Sequence, residues 1–244
     1  MSETQDTKFP KSLIQATVCI SVFGGTGFLC SFPFDYPDTF FVVSNKHVLT
    51  NFTEKTGIFP SCPPNEYYKR TLRPLSNKVY SHPDKNIDLA CVVASQSIYV
   101  PPERFDLPPL TWDYFTKPQT PISSSSKLTV VGSPKDESQF YQPLIQEEHL
   151  VCDISLKDHH LAIKPHLNRG ASGSPVFIGS DRRFFVLGVV ERKLCIEKQE
   201  GNFWVSIIIK QRYVSELLKY ATESFKQHHG TTPVPPRKTI YVKL

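Results

Sequence analysis

The sequence predicts an all-β protein of two lobes closed by a single helix, and three observations predict it. Short runs rich in β-branched and aromatic residues recur roughly every 10–15 positions between turn residues. A proline-rich stretch separates these runs into two sets. The last apolar segment changes to a helical period. The 244 residues include 39% hydrophobic and 21% charged side chains, enough apolar material for a sizeable core and against wholesale disorder.

The first set of runs covers residues 16–22, 26–32, 40–44 and 87–93, and the second covers 127–131, 174–178, 184–190 and 203–209. Gly24-Gly25, Pro33, Pro37-Asp38, Pro63-Pro64-Asn65 and Pro134 punctuate them. Many short strands at this spacing predict a sandwich or a barrel. Residues 97–126 hold six prolines and end in four serines. Proline cannot donate to a central ladder, so the stretch reads as an extended connector. The organisation is therefore an N-terminal lobe at 12–96, a connector at 97–126 and a C-terminal lobe at 127–209. A helix at 210–229 follows, with Val214, Leu217, Leu218 and Ala221 on one face. The tail at 230–244 has three prolines and receives no assignment.

Charge and cysteine content narrow the function. The chain has 28 basic and 23 acidic side chains, a net charge of +5, with the basic residues scattered. Such a surface argues against nucleic acid or a membrane as the main partner. The first ten residues are polar, and no run approaches the roughly 20 apolar residues that span a bilayer. The six cysteines form no C-x-x-C pair, and Cys19, Cys30, Cys91 and Cys152 lie inside apolar runs. They read as reduced core thiols of a cytoplasmic protein rather than as a disulfide framework.

Three segments carry chemistry. The segment LNRGASGSPVF (167–177) places Ser172 between Gly170 and Gly173. A nucleophilic serine needs backbone N–H donors aimed at the oxyanion, and glycines permit the backbone that turns them inward. Alone, the segment reads more readily as a Gly/Ser turn. The segment FFVVSNKHVL (40–49) sets His47 at the end of an apolar run, where a general base is shielded and keeps a near-neutral pKa. The segment KNIDLACVV (85–93) puts Asp88 at the head of another run, where a buried carboxylate needs a partner such as the imidazole N–H of His47. Each of these two also fits an ordinary strand-to-turn corner. Together the three occur in the chain order His, Asp, Ser.

With these residues the sequence resembles the trypsin/chymotrypsin superfamily, and most closely its intracellular and bacterial trypsin-like branch related to HtrA proteases. GTGF (25–28) resembles that family's G-S/T-G-F strand, and VVSNKHV (42–48) its histidine segment. IDLA (87–90) resembles its D-L-A strand, and NRGASGSP (168–175) its N-R-G-N-S-G-G-P motif. Val48 stands where many secreted members have cysteine, and Ser174 where many have glycine. The resemblance spans about residues 15–225 and implies two six-stranded antiparallel β-barrels with a C-terminal helix.

What the resemblance implies for function is serine endopeptidase activity on a protein or peptide substrate. His47, Asp88 and Ser172 would form the catalytic triad, and the N–H groups of Gly170 and Ser172 the oxyanion hole. No metal or other cofactor is implied. His166, Leu167, Val190, Glu191 and Arg192 would line the pocket for the residue before the cleaved bond. With His166 at the place where trypsins carry an acid, an acidic or polar residue is the expected preference. The competing expectation is a protease-like module without activity that binds a peptide or protein.

Overall fold

The computed structural model of the chain describes residues 9–20, 24–31, 39–53, 55–60, 72–96, 109–115, 122–123, 126–132, 144–151, 156–164, 167, 170–180, 183–197 and 202–229. The tail at 230–244, most of the connector, His166, Cys62 and Cys152 lie outside them.

Among the described residues, twelve strands form two closed barrels. The first consists of β1 (Thr17–Ile20), β2 (Gly25–Cys30), β3 (Thr39–Ser44), β4 (Ile58–Pro60), β5 (Leu72–Ser81) and β6 (Ala90–Gln96), in the order β1-β2-β3-β6-β5-β4. The second consists of β7 (Lys127–Gly132), β8 (Leu144–Val151), β9 (His160–Lys164), β10 (Pro175–Ser180), β11 (Arg183–Ile196) and β12 (Phe203–Lys210), in the order β10-β11-β12-β9-β8-β7. Every pairing within both barrels is antiparallel. A short α1 (Lys11–Gln15) precedes β1, a single turn α2 (Lys46–Leu49) follows β3, and α3 (Gln211–His229) closes the molecule. This is the all-β, two-barrel, helix-closed architecture expected from the sequence.

Both faces of the central strands are buried, which explains their unbroken apolar runs. In β3, Phe40 and Val42 point into the first barrel, while Phe41 and Val43 point into a second core between the barrels. In β6, Ala90, Val92 and Ala94 take the first role, and Cys91 and Val93 the second. The core between the barrels joins Phe28, Phe41 and Val93 from one lobe to Phe177, Val189 and Ile209 from the other. Val214, Leu217, Leu218 and Ala221 of α3 seal it, on the helix face the sequence marked. The second barrel keeps its own core around Leu128, Val176 and Ile208.

Several boundaries differ from expectation. The run 87–93 is strand only from Ala90, and Asp88 lies in the turn before it. Strand β12 extends to Lys210, so α3 starts at Gln211 rather than 210. Strands β5 and β8 carry too many polar residues to read as apolar runs, while β4 (IFP) and the apolar centre of β9 (HLAIK) are only three residues long. In β5, Pro74 sits where the pairing with β6 slips, so its missing N–H breaks no regular ladder. The connector is not wholly an extended spacer: Leu110 bridges Cys30, residues Trp112–Phe115 form a 3-10 turn, and Leu110 and Phe115 enter the core between the barrels. Two large apolar side chains among the prolines suffice to dock it. Cys19, Cys30, Cys91 and Cys195 are thiols, and burial pushes the Cys30 and Cys91 thiols well up.

Candidate active site

The ladder between β3 and β6 brings His47 to Asp88. Ser44, the last residue of β3, pairs with Ala90, the first of β6, so the chain leaving one strand meets the chain entering the other. The Asn45 side-chain amide and the Lys46 N–H both donate to the Asp88 carbonyl, at 3.0 and 3.3 Å. The His47 N–H donates to Asp88 Oδ1 at 3.0 Å, and Nδ1 lies 2.5 Å from Oδ2. A carboxylate on Nδ1 keeps the proton there and leaves Nε2 as the basic nitrogen. The hydrogen bond to Asp88 raises the His47 pKa above the ordinary imidazole value. Partial burial pulls it down, and the charges of Asp88 and Glu191 push it further up.

Ser172 sits on a turn shaped from both barrels. Gly170 and Gly173 have φ values of 91° and 87°, in the left-handed region where L side chains are strained. From β2 of the opposite barrel, Thr26 donates its N–H to the Ser172 carbonyl at 2.9 Å and its hydroxyl to the Gly170 carbonyl at 3.0 Å. The Ser44 hydroxyl in turn donates to the Thr26 carbonyl at 2.6 Å. A Cβ on Gly173 would lie 1.9 Å from the Thr26 carbonyl oxygen, so only glycine fits between the lobes there. On the other side the Gly173 N–H donates to the Val190 carbonyl at 2.9 Å, and the Val190 N–H to that of Ser174 at 2.9 Å. No acceptor among the described residues takes the N–H of Gly170 or Ser172.

His47 and Ser172 line one cleft of about 410 Å³, together with Leu167, Gly170, Ala171, Val190, Glu191, Arg192, Lys193 and Ser206. Of the expected pocket residues, Leu167, Val190, Glu191 and Arg192 are therefore in the wall, and His166 lies outside the described residues. The Ser172 hydroxyl donates to the Glu191 carbonyl at 3.1 Å. The Ser206 hydroxyl accepts the Leu167 N–H at 2.9 Å and ties the loop before the serine to β12. The Glu191 side chain is buried and already engaged: its Oε2 lies 2.6 Å from His160 Nε2, and its Oε1 3.2 Å from the exposed Arg192 guanidinium.

Behind Glu191 runs a chain of aromatic contacts. The His160 ring packs against His159 at 4.0 Å, His159 against Tyr213 of α3 at 5.9 Å, and Tyr213 against His82 at 5.8 Å. His82 Nδ1 accepts the Asp84 N–H at 3.1 Å and the His82 main-chain N–H donates to the Leu89 carbonyl at 2.9 Å, which fixes the loop carrying Asp88. Thr26, Ser44, His82, His160 and Ser206 all support the site, and none was singled out from the sequence. Thr26 and Ser44 had a signal, their places in GTGF and VVSNKHV. No family model matches the chain, and no curated protein sequence matches it.

Proposed function

We propose that the protein is a serine endopeptidase that hydrolyses peptide bonds through His47, Asp88 and Ser172. The observation that supports this most directly is the shared cleft: an imidazole oriented by a carboxylate opens onto the same cavity as a serine held between two left-handed glycines. The Ser172 hydroxyl leaves its Glu191 acceptor by rotating about one side-chain bond and gives its proton to His47 Nε2 as Oγ attacks the carbonyl carbon. Asp88 stabilises the resulting imidazolium. The N–H groups of Gly170 and Ser172 hold the oxyanion, each donor contributing about 3 kcal/mol. His47 then returns the proton to the leaving amine, and water, deprotonated by the same imidazole, releases the acyl group.

A second reading has one observation in its favour: the hydroxyl rests on a main-chain carbonyl rather than on the imidazole. A protease-like binding module would keep it there. A fluorophosphonate probe separates the two, because it labels only an activated serine. Peptidase action predicts a stoichiometric adduct on Ser172 by mass spectrometry, none in Ser172→Ala, and cleavage products that vanish with the adduct. A wild-type protein that stays unlabelled over hours would overturn it.

A further inference from the structure

The two strands that wall one side of the cleft run on past it as a hairpin. Beyond the register shift between Val190 and Arg192, β11 pairs with β12 as Lys193 with Ser206, Leu194 with Val205, Cys195 with Trp204 and Ile196 with Phe203. Side chains directly opposite share a face, and every second pair shares it too. Leu194, Ile196, Val205 and Phe203 gather with Ala162 and Ile207 in a cluster of their own, which fixes one face. Lys193, Cys195, Trp204 and Ser206 therefore lie on the other. Lys193 and Ser206 line the cleft that holds Ser172, so Cys195 and Trp204 are the next pair outward on the cleft's own face.

Trp204 is the most exposed large apolar side chain among the described residues, at 52%. A single exposed apolar residue is ordinary on a protein surface. This one continues a strip. Ile208 in the barrel core, Ser206 in the cleft wall and Trp204 at the rim alternate along one face of β12, with Val190, Lys193 and Cys195 opposite them. The Cys195 thiol is half-buried and unbridged. An indole offers a large, rigid apolar face, and such residues carry much of the binding energy where they meet a partner. Glu191, whose carbonyl holds the Ser172 hydroxyl, stands four residues before Cys195. At about 3.3 Å per residue the hairpin carries Trp204 roughly 13 Å from that carbonyl, the reach of about four residues of extended peptide. The Lys193 ammonium on the same face and the exposed Arg192 guanidinium disfavour a cationic side chain there. Trp204 lies outside every segment that carries the family resemblance.

We propose that Trp204, with Cys195 beside it, is an outer subsite of the cleft for an aromatic side chain of a peptide substrate, about four residues from the bond that is cut. For the position of that bond this rests on the peptidase reading. The seating of an aromatic peptide segment against Trp204 does not require Ser172 to react, and no bond forms or breaks at the subsite.

The test uses the full chain carrying Trp112→Phe and Ser172→Ala, which leaves Trp204 as its one indole and prevents turnover. The probes are acetylated octapeptide amides of alanine and serine with one Phe placed at each position in turn, and the same set with Lys in its place. Phe peptides should move the Trp204 emission to shorter wavelength in a saturable way, and the Lys set should not. The same Phe peptides should slow iodoacetamide alkylation of Cys195, read at that residue by mass spectrometry, at least about fivefold, the size that loss of one anchoring contact has. Adding Trp204→Ala should abolish that protection, with an unchanged melting temperature as the sign of an intact fold. Phe peptides that change neither emission nor alkylation, equal effects from the Lys set, or equal protection in Trp204→Ala would overturn the proposal even if fluorophosphonate labels Ser172 in the wild type. Binding without wild-type labelling would uphold the subsite and remove the peptidase. Where both succeed, cut sites mapped in a digested proteome should show an aromatic residue enriched at least about fivefold at one position about four residues from the bond. Trp204→Ala should erase that enrichment and Trp112→Ala should keep it.

Discussion

His47 is gripped by Asp88 at two points, ring and main chain, and its titration follows from that grip. The charged imidazole is favoured first by the Asp88 hydrogen bond and then by two negative charges, the second being Glu191. Its pKa should therefore exceed the ordinary value of about 6.5. Removing Glu191 takes away one of those charges, so Glu191→Gln should move the His47 midpoint to lower pH, and Asp88→Asn should move it further. A proton NMR titration of the His47 ring checks both. A midpoint at or below 6.5 in the wild type, or no downward movement in Glu191→Gln, would contradict the account. Asp88→Asn should also slow Ser172 labelling by about 10⁴, the size of effect that loss of the orienting carboxylate has in such triads. These three side chains were legible because each needs a particular neighbour: glycines around the serine, a strand end for the histidine, a strand head for the aspartate. Trp204 was not. In FWVSIIIK (203–210) it looks like one more apolar residue of a buried run, and only the pairing with β11 turns it to the rim of the cleft.

The elements repeat the lesson. Strands buried on two sides, such as β3 and β6, were visible as continuous apolar runs, while β5 and β8 meet solvent on one face and mix polar residues into every turn of the pleat. The part of the connector that docks was hidden by its prolines. The turn that carries Ser172 has little tolerance for substitution. Gly173→Ala would place a methyl group against the Thr26 carbonyl and force a left-handed φ on alanine. Backbone strain alone costs about 1–3 kcal/mol, and the clash adds to it. The melting temperature should fall by at least about 2–4 °C, and fluorophosphonate labelling should be lost in whatever remains folded. A variant that melts and labels like the wild type would show that the two backbones do not approach as closely as described.

At the scale of the molecule, an extensive apolar cluster belongs to neither barrel but to the joint between them, sealed by α3. The lobes should therefore unfold together, as one calorimetric transition. Leu217, wholly buried in that joint, tests this. Leu217→Ala should cost about 2–5 kcal/mol and shift the single transition down by about 2–4 °C per kcal/mol, without splitting it. Two separate transitions in the wild type would mean the lobes are independent. Fold and connectivity at this scale were legible from the two sets of strands and the closing helix, while the docking between lobes was not, because it depends on which face of each strand points where.

Thr26 reaches across from one lobe to hold the Gly170 and Ser172 carbonyls of a turn in the other. The hydroxyl therefore owes its posture to a neighbour that brings no reagent of its own. A wedge driven into that seam, whether a binding protein or a swollen loop, would leave His47 and Asp88 in place and still let the turn that carries Ser172 go slack. On the peptidase reading, silencing the molecule would then be a matter of posture, reversible as soon as the lobes settle back.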